Sequence, residues 1–282
     1  GWEEAIDEIG RSGEYGGLRI TPQLELVPLG PDPQSGLWEF AHVPTGEPAV
    51  RGSDGKLTLK PENGIVFVLL PAGRVPVEDG KSATPMNLVE LQPFFLSKNE
   101  MTVEQWRRTS RWSGDFGAEQ PLLPANGVSW YDCVETLERA GLFLRLPTEA
   151  QWEYGCRAGT TTPWWTGATN DARSAANALV DFINHDQAGA EPVGRLGANP
   201  FGLPHVHGNV WEWGRDEYVE DDDAPVRPDD GEREARGAGG RAVRDGLGFR
   251  GRHARSSGSR DSYPPEVRFD YLGLRVVRSL TP

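Results

Sequence analysis

Cysteine is almost absent from this chain. Cys133 and Cys156 are the only two in 282 residues, which excludes a disulfide-dependent scaffold at this size. Both fall in helix-like segments and read as small buried hydrophobes, with one bridge between them left open. No apolar run approaches the ~20 residues of a membrane helix, so no membrane span is expected. No signal peptide is visible either. That tilts the expectation toward the cytoplasm, with a surface or secreted location left open because the first residue is Gly1 and not Met. Repeats and heptads are missing, which excludes solenoids and coiled coils. Net positive charge is missing too. The formal charge of −13 favours solubility and disfavours nonspecific nucleic-acid binding, so no nucleic-acid partner is expected.

Glycine (35), proline (23) and tryptophan (10) are plentiful. Such a chain favours short elements and many turns over a helical bundle, with most indoles filling the core. Charge is uneven. Acids dominate from Arg215 to Arg236, with Asp221, Asp222, Asp223, Asp229 and Asp230, whereas Arg241 to Arg278 holds nine Arg against Asp245, Asp261, Glu266 and Asp270. An acidic loop beside an Arg-rich surface is the plainer explanation; a cationic ligand face is the other.

Residues from Gly1 to Gly17 read as a short amphipathic lead with a Gly-rich break. Leu18 to Val27, Trp38 to Phe40 and Lys56 to Leu59 read as extended, with a hairpin turn at Asp54-Gly55. Ile65 to Leu70 is a continuous apolar run, expected as a strand buried on both faces and ended by Pro71 and Gly73. Leu88 to Leu96 is another extended stretch. Thr102 with Gln105 has the form of a capping box, Ser129 opens a second helix with Val134, Leu137 and Ala140 on one face, and Thr148 opens a third. On that third helix Trp152 and Tyr154 are expected on opposite sides. From about Thr160 to Gly248 the chain is mostly loop, the kind that carries function.

Six segments then occur in order. They are Phe94 to Thr102 (FFLSKNEMT), Asn126 to Trp130 (NGVSW), Leu144 to Tyr154 (LRLPTEAQWEY), Asn199 to Leu203 (NPFGL), Gly208 to Trp213 (GNVWEW) and Leu272 to Arg275 (LGLR). Together they resemble the formylglycine-generating enzyme and sulfatase-modifying-factor family over about three quarters of the chain. The resemblance implies an α+β, C-type lectin-type fold with little regular secondary structure. Residues 61–282 would form that domain and residues 1–60 a β-rich N-terminal extension packed on it. Within the motifs, Gly208 and Asn209 suit a turn with positive φ. Trp211 and Trp213 fall on one face of an extended segment, and Arg145, Glu149 and Glu212 are expected in buried ion pairs, not in catalysis.

The resemblance also implies oxidation of a substrate cysteine, by copper held on two C-terminal thiolates. Here those positions fall near Arg250 and Arg255, and guanidinium groups are donors only. No catalytic residue is therefore expected, and no cofactor. A related branch builds a carbon–sulfur bond with iron, but it needs an N-terminal His-rich bundle. This chain has only His42, His185, His205, His207 and His253. His205 and His207 alternate on an extended segment, a spacing open to a metal pair, although hydrogen-bonded histidines are commoner. Calcium is left open: Gly208, Val210 and Glu212 match one family site, with His205 in place of the usual Asp or Asn, and Asn177 with Asp186 loosely suggest a second.

The same fold scaffolds the variable proteins of diversity-generating retroelements, in which mutated adenines scramble a C-terminal patch. Asp245 to Tyr271 resembles such a patch. It is rich in Gly, Arg, Ser, Asp, His and Tyr and contains no Lys, Gln, Trp, Met or Asn. Mutated Asn codons reach the first group and not Lys, Gln, Trp or Met; Glu266 would be a fixed position. The expected ligand-binding residues are Arg250, Arg252, His253, Arg255, Ser257, Ser259, Asp261, Ser262, Tyr263, Phe269, Asp270 and Tyr271. They combine forked donors, aromatic area and adaptable hydroxyls, facing an unknown protein or small-molecule ligand. Two alternatives stand beside this reading: a degenerate accessory or sensory domain of a larger protein, and a metal-dependent enzyme of the same fold.

Overall fold

The computed structural model describes residues 1–77, 87–111, 116, 120–141, 143–167, 190–195, 197–219, 226–233, 237, 239–244 and 256–281. Two sheets organise it. The larger is antiparallel throughout and runs β1 (Leu26–Pro31), β2 (Trp38–His42), β3 (Val66–Leu70), β6 (Phe94–Ser97), β12 (Val277–Ser279), β7 (Leu144–Arg145). The last strand of the chain thus lies between β6 and β7. Strands β1 and β2 continue the same sheet, so the segment before residue 60 adds two strands to the core instead of sitting apart from it. The opening helix α1 (Trp2–Arg11) buries Ala5 and Ile9, one turn apart on one face.

The apolar run at Ile65 gives β3, buried at every position. Its partners supply Phe40 and Phe95, whose rings meet edge to face at 5.2 Å, a favoured aromatic geometry. Three expectations are corrected here. Leu18 to Val27 yields strand only from Leu26. Lys56 to Leu59 is no strand: after the Asp54-Gly55 turn only Leu57 pairs, in a single bridge to Arg51. Leu88 to Leu96 is two strands in two sheets, because Gln92-Pro93 interrupts it. Strand β5 (Asn87–Leu91) pairs with β4 (Gly73–Val77), while Phe94 joins the larger sheet.

Each helix of the motif region starts on a capping box. These are α2 (Val103–Thr109) with Thr102 and Gln105, α3 (Trp130–Ala140) with Ser129 and Asp132, and α4 (Glu149–Arg157) with Thr148 and Gln151. In each, hydroxyl and N3 side chain exchange bonds with two otherwise orphan amides. On α3 the buried face is Cys133, Thr136, Leu137 and Ala140, with Val134 at its margin. Helix α4 is buried at all nine residues, so Trp152 and Tyr154 are both enclosed, the first bonded to Glu212 and the second to the Pro71 carbonyl. A helix enclosed on every side must pair its charged residues internally.

The second sheet runs β10 (Arg260–Tyr263), β9 (Arg241–Arg244), β8 (Trp211–Glu217), β11 (Leu272–Gly273), with β11 parallel to β8. Gly273 has to be glycine, since a Cβ there would lie 2.6 Å from the Ala125 carbonyl oxygen. Gly208 and Asn209 take φ of 131° and 66°, as their turn requires.

Candidate functional site

The C-terminal segment enters the fold through charge buried under the second sheet. Arg260 of β10 grips Glu149 of α4 with two parallel bonds, Nε to Oε1 and Nη2 to Oε2, each 2.6 Å. Arg244 of β9 reaches both Glu149 (3.3 Å) and Glu153 (2.7 Å), and it also donates to the Ser257 carbonyl at 2.7 Å. Arg157 closes the row on Glu153 at 2.8 Å. All of these side chains are buried. Burial pushes the Glu149 carboxyl up, but Arg260, Arg244 and Arg233 outweigh it and hold its pKa below the usual carboxylate range. Asp216 of β8 accepts the Glu149 and Arg233 amides at 2.8 and 2.7 Å. Burial and the Glu149 charge push it up to about 7.

A second buried knot sits on the same strand, β8. Glu212 accepts from the Trp152 indole at 2.6 Å and from Arg275 Nε at 3.1 Å. Arg275 also donates to the Ser97, Lys98 and Pro204 carbonyls. Burial pushes Glu212 up to about 7. Its oxygens are thus engaged by protein donors, and the Gly208–Val210–Glu212 set does not fit a calcium cage of free oxygens. Asn177 and Asp186 lie outside the described residues. The expectation of buried ion pairs holds for Glu149 and Glu212; Arg145 is exposed on β7.

The two histidines diverge. His205 Nδ1 lies 4.0 Å from Glu100, whereas His207 Nε2 lies 3.6 Å from Cys156 Sγ and 3.4 Å from Ser257 Oγ. Both are held neutral, down at about 4, by burial with a nearby Arg. Their rings meet different partners, and among the described residues no group of three or more His, Cys, Asp or Glu is placed to hold a metal ion. The His207 cluster looks like a nucleophile beside a base, but burial pushes the Cys156 thiol up to about 12. Cys133 is also buried and raised. Both cysteines are free, so the open bridge is not made. Copper on two C-terminal thiolates finds no matching donors here: the residues do not fit it.

Of the expected ligand residues, Arg250, Arg252, His253 and Arg255 lie outside the described residues. Ser257 is corrected: it is fully buried, faces His207, and presents nothing to a ligand. Ser259, Asp261 and Ser262 are part-exposed and Asp270 is exposed. Tyr263, Phe269 and Tyr271 do come together. Tyr263 meets Phe269 edge-on at 5.1 Å and rests on Trp211 at 6.5 Å, and Phe269 stacks on Tyr271 at 5.1 Å. The turn of the NGVSW motif anchors this ladder from below. Asn126 donates to the Asp270 carbonyl at 2.7 Å and Gly127 to that of Phe269 at 2.9 Å. Sequence reasoning missed Arg260, which it counted only as surface charge, and Arg241, which lies 4.0 Å over the Trp130 ring. Arg260 is the one buried residue of β10, and nothing in the local pattern of Arg260–Tyr263 marks it out.

Comparison with known proteins agrees with this geometry. The model of the sulfatase-modifying factor enzyme 1-like domain matches residues 57–280. A formylglycine-generating enzyme of Mycobacterium tuberculosis is 35% identical over 126 residues, covering 40% of this chain and 42% of that protein. A serine/threonine-protein kinase pkn1 of Chlamydia caviae is 32% identical over 219 residues, 66% of this chain and 34% of the kinase. The chain therefore spans less than half the length of these relatives. Among solved structures, Treponema denticola variable protein 1 aligns with a TM-score of 0.62 at 20% identity, covering 77% of this chain and 96% of that one. The fold is thus the C-type lectin-type fold that the motifs implied.

Proposed function

This chain belongs to the sulfatase-modifying factor enzyme 1-like family, and from that premise we propose that it is a non-catalytic ligand-binding protein whose surface lies in residues 245–271. The observation that carries the reading is the state of its thiols. The chain has two cysteines, both buried on core helices and both raised in pKa, so neither offers the thiolate that cysteine oxidation on copper needs. What is left is a scaffold pinned by ion pairs beneath an aromatic ladder. Rigid support of this kind lowers the ordering cost of binding.

The finer reading is a variable protein of a diversity-generating retroelement. It is supported by the adenine-reachable composition of Asp245 to Tyr271 and by the shared fold. In it Arg250, Arg252, His253, Arg255, Ser259, Asp261, Ser262, Tyr263, Phe269, Asp270 and Tyr271 face a protein or small-molecule ligand. Two measurements test the reading. Purified protein loaded with copper is expected to leave a cysteine-bearing peptide unoxidised; aldehyde formation would overturn the non-catalytic reading. Sister genes aligned over 245–271 are expected to differ only in adenine-reachable residues, and scattered variation would remove the retroelement. An accessory module of a longer protein is the second reading, favoured by the kinase relative, whose matched part is about a third of its length.

A further inference from the structure

A cavity of about 570 Å³ opens where the segment before residue 60 meets the core. On one side stand Asp32 and Lys56; on the other stand Lys98, Asn99, Gly194 and Arg195. None belongs to the C-terminal segment. The floor is fixed by local structure. β6 ends at Ser97, whose hydroxyl donates to the Asn99 carbonyl at 2.8 Å, and the Lys98 amide donates to Val66 at 2.7 Å. This turn leaves the Asn99 side chain 8% exposed with its Oδ1 making no hydrogen bond. A buried polar atom without a partner is uncommon in a native fold and calls for a reason. The neighbour facing it is Gly194, at φ +80°, where even a Cβ would stand 3.6 Å from that oxygen. Among the described residues no side chain completes Asn99.

The charge of the cavity has a definite sign. Lys98 is bound by Asp32 at 3.0 Å and Glu39 at 2.5 Å, and Arg51 meets Glu39 at 2.8 Å. These two cations and two carboxylates balance. Lys56 and Arg195, both exposed at the rim, are left as an excess of two positive charges. Leu57, Leu59, Val66 and Pro204 supply an apolar wall. The site therefore offers cations for an anionic group, a carboxamide for a hydroxyl, and hydrocarbon for a ring face, in a volume suited to a small molecule.

We propose that this cavity binds a hydroxylated organic anion of monosaccharide size, with its acidic group at Lys56 and Arg195 and a hydroxyl at Asn99. The acidic group is a carboxylate or a phosphate, and two probes separate them. Calorimetric titration of the whole chain with glucuronate and with glucose 6-phosphate is expected to give binding for at least one. Glucose and inorganic phosphate are each expected to bind at least tenfold more weakly than that acid. The double variant Lys56→Glu/Arg195→Glu, which touches only exposed side chains, is expected to lose at least tenfold in affinity. Asn99→Leu is expected to lose binding while keeping the fold. The proposal is overturned if neither acid binds at millimolar concentration, if inorganic phosphate binds as tightly as the acids, or if the rim variant binds as the parent does.

Discussion

The two larger sheets of this molecule are held by different chemistry. The six-stranded sheet is sealed mainly by hydrocarbon, with Phe40, Phe67, Val68, Leu69, Leu70, Phe95 and Leu96 all essentially unexposed, although Glu39, His42 and Arg278 are buried in it as well. The four-stranded sheet rests on charge, with Glu149, Glu153, Glu212 and Asp216 facing Arg244, Arg260 and Arg275 at similar depth. Apolar packing is non-directional and tolerates repacking. A buried guanidinium–carboxylate pair is directional, and its removal on one side leaves an uncompensated charge. The half that carries the proposed ligand segment is thus the half whose geometry is fixed bond by bond.

The largest expected effect breaks the charged half. Arg244→Met removes the one group that touches Glu149, Glu153 and the Ser257 backbone together. A loss of about 3–5 kcal/mol is expected, the usual cost of stripping one side of a buried pair. Urea denaturation reads it as a lower midpoint at unchanged slope. A loss under about 1 kcal/mol would mean that the network contributes little and that both halves rest on packing.

The matched change in the apolar half is milder. Ile65 is 2% exposed at the head of β3. Ile65→Val removes one methylene and is expected to cost about 0.5–1.5 kcal/mol, read in the same titration. If it equalled the Arg244 change, the contrast between the halves would vanish.

The pH dependence sharpens the comparison because its two parts have opposite sign. Asp216 and Glu212, in the charged half, have folded pKa values of about 7 against ordinary values of 3.8 and 4.5. The folded state holds their protons more tightly. Their contribution is fully present below about pH 4 and is lost as pH rises through 7. His42, His205 and His207 are lowered to about 4 from 6.5. Their contribution is present above pH 6.5 and is lost as pH falls toward 4. Between pH 4 and 7 the two slopes oppose each other. Asp216→Asn removes one acid from the balance, so the stability of the variant should climb more steeply with pH over that window than the parent's. Parallel profiles would refute the assignment of Asp216.

What was legible in the sequence follows the same division. The helix starts at Thr102, Ser129 and Thr148 could be read because a capping box is complete within four residues. Strand β3 could be read because Ile65 to Leu70 is apolar at every position. Pairings between distant residues could not. Glu149 and Arg260 are separated by 111 positions, and no local pattern chooses Arg260 over its neighbours as the partner. The same holds for β12, whose three residues carry no sign that they lie between β6 and β7. Ser257 looked like its surface neighbours Ser259 and Ser262 because composition reports residue type, not depth. The break at Gln92-Pro93 was readable from the proline alone, and the motif resemblance gave the fold where periodicity failed.

The smallest expected effect is an absence of reaction. Cys133 and Cys156 lie one on each of the helices α3 and α4, fully enclosed. Thiol reagents attack through the thiolate. With Cys156 pushed up to about 12 by burial, almost none of it is ionised at pH 8, and the closed fold excludes the reagent. The native protein is therefore expected to label at neither cysteine over hours, and at both once urea unfolds it. The Arg244→Met variant gives the comparison its final edge. Arg244 is one of the charges that lowers the Cys156 pKa, so its loss alone makes the thiol less reactive; faster labelling in that variant would have to come from opening of the charged half. Labelling of Cys156 at a faster rate with Cys133 unchanged is the expected pattern. Equal acceleration at both would mean that the two halves open as one unit.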